Sequence, residues 1–230
     1  MELSQYLVAL ARDGARFAEV VPGHLGEPVP SCPGWTVGDL TYHLGEVHHF
    51  WRNIVEHRHA DPNVVGMPSR PDDDHLVDWF RRELAQLERA LATADPNAKH
   101  WTWSAQQDTA FVIRRMAQET SVHLWDALDA LGQREPLEAW LAGDGVEEFV
   151  VHFAPFRKKD APAVSGRIEF VVAESGRVVR TDGMGEVDAV VTAPAGALLL
   201  ALWGRTPIDP LWVDGDLGVV TRFVEGTGLD

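Results

Sequence analysis

The run Arg114–Ala130, RRMAQETSVHLWDALDA, decides how the rest of the chain is read. It reads as one helix. Its inward stripe, Val112, Met116, Glu119, His123, Ala127 and Ala130, steps by three and four and interrupts its apolar residues with a carboxylate and an imidazole. A buried carboxylate that stays ionised without a partner costs on the order of several kcal/mol. Glu119 and His123, four apart on one helical face, therefore require a partner from elsewhere in the chain, and a shared cation is one such partner. The spacing alone is weak evidence, because Glu-x-x-x-His recurs at Glu148 and His152. That second pair lies near the end of a linker helix with no other histidine close in sequence, and an ordinary i,i+4 contact is the reading given to it.

Nine of the ten histidines precede residue 124, so imidazole chemistry belongs to the N-terminal half. His43, His48 and His49 flank the apolar stripe of a helix starting near Val37 (Leu40, Leu44, Val47, Trp51, Ile54). His43 and His48 point about 140° apart on a 3.6-residue helix, so they do not easily share one ion. Periodicity does not choose between them.

The same periodicity gives two more helices. Leu3, Leu7, Leu10 and Phe17 define the first, which stops near Pro22-Gly23, and Asp72 to Ala94 defines the third, with Leu76, Trp79, Phe80, Leu84, Leu87 and Leu91 inward. Thr36 with Asp39 predicts a capping box at the start of the second helix, and Ser104 with Gln107 predicts another before the fourth. Four helices in about 130 residues predict a four-helix bundle. After Gly132 the texture changes. A helix from Pro136 to about Phe153 is followed by three Val/Ile-rich strand patterns, GRIEFVVAE, RVVRT and VDAVVTA, and then by helical patterns in PAGALLLALWGR and DLGVVTRFVEG. The expected fold class is α+β, with domains over residues 1–133 and 134–230.

Composition narrows the partners. With 20 basic and 35 acidic residues the formal net charge is −15, which argues against nucleic acid and anionic membranes as partners. The single cysteine, Cys32, permits no intrachain disulfide and suits a reducing cytoplasm; it is read as structural. No apolar run of membrane-spanning length and no basic, signal-like N-terminus is present in the sequence. A soluble cytoplasmic monomer or weak homodimer is expected.

Three stretches, SCPGWTVGDLTYHL, RRMAQETSVHLWDALDALG and LLLALWGRTPIDPLWVDGD, resemble the recurring signatures of the mycothiol-dependent maleylpyruvate isomerase family, whose metal-binding domain belongs to the DinB-like superfamily. They stand in order and span nearly the whole chain. The resemblance implies an N-terminal DinB-like four-helix bundle and a small C-terminal α/β domain. It also implies a divalent metal, usually zinc, with mycothiol as thiol cosubstrate. The family's W-T-V-x-D-L-x-x-H-L pattern puts the first ligand on His43, with His48 in reserve, and Glu119 and His123 match the other two. It further implies an activity-linked arginine in the C-terminal domain, for which Arg205 is the match, although Arg177, Arg180 and Arg222 lie in the same half.

Two histidines and one carboxylate leave a fourth coordination position open, as catalytic zinc sites do. The implied chemistry is activation of a thiol as thiolate for attack on an electrophile, giving cis–trans isomerisation or thiol S-transfer. A non-catalytic DinB-like metal-binding or regulatory protein is the alternative, and a zinc hydrolase is a weaker third because no general base stands beside the three residues in sequence. Asp126, three residues after His123, is a candidate second acceptor for that imidazole. The electrophile and the identity of the metal are not written in the sequence.

Overall fold

A computed structural model describes residues 2–156, 158, 161, 166–182 and 185–227, in two compact units, Met1–Glu135 and Pro136–Asp230. The first holds four helices: α1 (Leu3–Val20), α2 (Val37–His57), α3 (Asp73–Thr93) and α4 (Thr109–Ala130). α4 packs against α1 and α2, and α3 packs against the same two helices. The apolar stripes meet in a common core: Leu10, Phe17, Leu40, Leu44, Ile54, Leu76, Phe80, Leu87, Phe111 and Met116 are almost wholly buried. Gly45 lets α2 approach α3 closely, since a Cβ there would stand 2.2 Å from Trp79 Cζ3.

Local chemistry sets where the helices start. The Thr36 hydroxyl accepts from the Asp39 N–H at 3.2 Å while the Asp39 carboxylate accepts from the Thr36 N–H at 2.9 Å, so the expected capping box opens α2. At its far end Arg58 adopts a left-handed φ of 51°, which ends the helix. The Ser104–Gln107 box does not form. Ser104 instead accepts from the Gln106 N–H inside a turn closed by Thr102, and α4 begins at Thr109 with Asp108 as cap, accepting from the Phe111 N–H. An isolated bridge between Lys99 and Asp108 holds Asp108 extended, the geometry that an N-cap needs.

α4 departs from the one-stripe expectation. Besides its apolar residues, Arg115, Gln118, Thr120, Ser121, His123 and Asp126 are buried, so the helix is enclosed on nearly all sides. A helix in that position must satisfy its polar side chains internally.

The second unit is mixed. It contains α5 (Ala139–Glu148), continued by a π-helical turn over Phe149–Phe153, then β1 (Arg167–Val172), β2 (Val178–Arg180), β3 (Val187–Ala193), α6 (Ala195–Leu202), β4 (Val213–Gly215) and α7 (Leu217–Gly226). The sheet order is β2-β1-β3-β4, with β1 parallel to β3 and both outer strands antiparallel. In β1 the residues Ile168, Phe170 and Val172 are buried and their neighbours partly exposed, the period-2 pattern of a strand covered on one face. α6 packs on α5 and β1, and α7 on β3. Two details differ from expectation: α5 starts three residues after Pro136, because Glu138 is still extended, and a short β4 is added. Gly215 makes β4 possible, with φ +109° and space for a Cβ closed at 2.2 Å by the Asp188 carbonyl. The architecture is α+β, a helical bundle followed by a small α/β unit. No described helix is long and apolar enough to cross a membrane.

Candidate metal centre

Helix spacing places Glu119 and His123 one turn apart on α4, and the packing of α2 on α4 brings His43 to them. One ligand atom from each of the three residues lies within 4.8 Å of the other two. Glu119 Oε1 is the common point, 3.4 Å from His43 Nε2 and 3.2 Å from His123 Nε2. The imidazole rings of His43 and His123 stand at 88° with centroids 5.2 Å apart, so both nitrogens face the same spot. A tetrahedral shell with arms of about 2.0–2.1 Å has edges of about 3.3–3.4 Å, and the two N···O separations match such an edge. Two imidazoles and a carboxylate are also the donor types that zinc and neighbouring transition metals prefer.

Further residues orient this set. Asp126, wholly buried, accepts from His123 Nδ1 at 2.8 Å, so that the lone pair falls on Nε2 once the ring has lost a proton. Ser31 in turn donates to the other Asp126 oxygen at 2.6 Å, tying the loop before α2 to α4. On the far side of Glu119, buried Arg115 donates to Oε2 at 2.6 Å. Trp35, 37% exposed, meets the His43 ring edge-on at 5.0 Å. Its loop is held by backbone bonds from Trp35 N to Cys32 O and from Val29 N to Trp35 O. Cys32 is half-buried in that turn.

Electrostatics follow from this geometry. Burial disfavours charge on Glu119, but Arg115 and His123 outweigh it and hold the carboxyl well below its ordinary range. Burial likewise opposes charge on His123, yet Glu119 and Asp126 raise its pKa to about 9. Among protein groups alone, then, the site favours a carboxylate beside an imidazolium. A divalent cation replaces the imidazolium proton with a larger positive charge at the same focus, so the donor set fits a metal.

His48 is excluded from this cluster. It is fully buried, its Nε2 hydrogen-bonded to Thr120 Oγ1 at 3.0 Å, and burial lowers its pKa to about 3. Five residues along α2 from His43, it points into the α2–α4 contact as a neutral core group. Arg205 lies in the second unit just after α6, its Nη1 donating to the Trp203 carbonyl at 2.9 Å. Arg177 and Arg180 are engaged by Glu147 and Glu169, each at 2.6 Å, and Arg222 is exposed on α7. Glu148 is buried and His152 partly exposed where α5 passes into the π-helical turn. Sequence reasoning overlooked Arg115 and Ser31. Arg115 did carry a signal, the i,i+4 spacing to Glu119, but the same spacing is common on solvated helix faces.

The comparisons agree with this architecture. The family described as the mycothiol maleylpyruvate isomerase N-terminal domain matches residues 7–128, and the C-terminal domain of the same enzyme family matches residues 141–222. Crystal structures of the mycothiol-dependent maleylpyruvate isomerase and of a histidine-to-alanine mutant of it superpose with TM-scores of 0.63 and 0.64 at 13% identity, covering 99% of this chain and 92% of theirs. No curated protein matches the chain significantly. With both domain profiles aligned in order over the bundle and the α/β unit, the chain belongs to the mycothiol-dependent maleylpyruvate isomerase family.

Proposed function

We propose that the chain is a divalent-metal- and mycothiol-dependent enzyme of the maleylpyruvate isomerase type, using a thiolate to attack an electrophilic small molecule in a cis–trans isomerisation or a thiol S-transfer. The observation that carries this reading is the convergence of His43 Nε2, Glu119 Oε1 and His123 Nε2, with separations of 3.4 and 3.2 Å about the shared oxygen. Family membership supports a thiol cosubstrate and chemistry of the isomerase type. A cation of the zinc type held by these residues would bind a thiol as thiolate at neutral pH, where a free thiol with a pKa near 8.5 is mostly protonated.

The chain's own groups have separable tasks. His43 and His123 would offer ring nitrogens, Glu119 would offer one negative charge, and Asp126 holds the His123 proton on Nδ1 so that a deprotonated Nε2 can ligate. Three protein donors leave a coordination place for sulfur. Trp35 provides an apolar surface beside His43 that lowers local water access. For a carboxylate-bearing substrate we assign recognition to Arg205, whose guanidinium can form a two-pronged hydrogen bond.

The test begins with metal content and binding by the purified protein. Zinc- and mycothiol-dependent conversion of an electrophile such as maleylpyruvate is then measured for the wild type and for His43→Ala, with net loss of free thiol marking S-transfer and its full recovery marking isomerisation. One bound ion and mycothiol-dependent conversion that disappears in His43→Ala is the expected result. Absence of a bound ion refutes the metal reading; metal binding without mycothiol-dependent conversion identifies a non-catalytic DinB-like binding protein instead.

A further inference from the structure

We infer that Arg115 is a positioning residue that makes Glu119 a one-oxygen metal ligand, by occupying Oε2 so that only Oε1 faces the two histidines. The inference rests on the metal-centre reading above. The two carboxylate oxygens have separate surroundings: Oε1 lies 3.4 and 3.2 Å from His43 Nε2 and His123 Nε2, while Oε2 lies 2.6 Å from Arg115 Nη2. The Arg115 side chain is 4% exposed and that of Glu119 is 19% exposed, so water screens their attraction poorly. Both residues stand on α4, four apart, and the helix backbone sets their distance. A carboxylate so held cannot turn to chelate an ion through both oxygens without breaking a short, charge-assisted bond.

Two consequences follow. The first is a lower coordination number, which keeps a place open for the thiol sulfur. The second is electrostatic: the guanidinium withdraws negative charge from the ligand oxygen and repels a nearby cation. Arg115 therefore weakens metal binding while leaving the bound ion more electron-poor toward a thiol. A residue retained only to stabilise the helix would have no such effect on the ion, and its loss would leave metal affinity unchanged or lower it.

The test uses cobalt(II) alone as the probe, with chelator-stripped full-length protein, visible absorption and a competing chelator. Wild type is expected to take up one equivalent with the intense absorption of four-coordinate cobalt. Failure of the wild type to bind cobalt overturns the metal-centre reading itself, whatever the variants do. In Arg115→Met, freed Oε2 joins the ion: absorption falls at least twofold and affinity rises at least tenfold. In Arg115→Lys the ammonium is a single donor with shorter reach, so the absorption also falls while the retained charge limits the gain in affinity. Arg115→Met that melts cooperatively and binds cobalt with unchanged spectrum and equal or weaker affinity overturns the inference. If Arg115→Met does not fold, an Arg115→Lys spectrum identical to wild type overturns it equally.

Discussion

Lowering the pH should weaken metal uptake by a calculable amount through His123. This imidazole is buried, with a side chain 10% exposed, and Glu119 and Asp126 raise its pKa to about 9. Its Nε2 can ligate only after the proton leaves. At pH 7 the ring is about two units below its pKa, and at about 1.4 kcal/mol per unit deprotonation costs about 3 kcal/mol, on the order of a hundredfold in apparent affinity. Glu119, held well below its ordinary range, is already ionised there and adds nothing to the slope. Apparent zinc affinity of stripped protein should therefore rise about tenfold between pH 7 and pH 8 and level off above pH 9. Calorimetry in buffers of different ionisation enthalpy should show close to one proton released per ion at pH 7. A flat affinity from pH 7 to 8 together with negligible proton release would refute the assignment of His123 as an imidazolium that must discharge before binding.

Other perturbations have equally definite outcomes. In stripped protein the raised His123 pKa stabilises the fold fully below about pH 6.5, and that contribution is lost as pH rises through about 9, so Tm should fall across that window; zinc-loaded protein should not show the same fall. Asp126→Ala removes the acceptor that fixes His123 and should weaken zinc binding about 10- to 100-fold in chelator competition, a loss that Ser31→Ala reproduces in smaller measure. Gly45→Ala drives a methyl group into Trp79 across the α2–α3 contact and should cost about 1–3 kcal/mol in urea unfolding. Thr36→Ala removes one half of the α2 capping box and should cost about 1 kcal/mol by the same measurement.

Much of the bundle could be read from residues acting through neighbours three or four places away. The stripes of α1, α2 and α3, the Thr36–Asp39 cap and the change to strand periodicity after Gly132 depend on local geometry alone, which a sequence displays directly. Glu119 and His123 were legible for the same reason, since one helical turn separates them. The Ser104–Gln107 box failed because a bridge to Lys99 gave Asp108 the extended backbone of a cap, a pairing invisible to a window of four residues.

What only the tertiary structure decided is how α4 is enclosed. Hydrophobic periodicity marks which side of a helix avoids water, but α4 is covered on nearly all sides, so Arg115, Gln118, Thr120 and Asp126 are buried although their residue types suggest exposure. Packing of α2 on α4 also separates two histidines that sequence reading left open: His43 turns its Nε2 to Glu119, whereas His48 enters the dry contact against Thr120. Sequence determined the helices and the turn that carries Glu119 and His123. The meeting of His43 with them depends on how two helices distant in sequence lie across each other, because the positions of ligand atoms in space are set by interhelical packing and not by the spacing of residues along either helix.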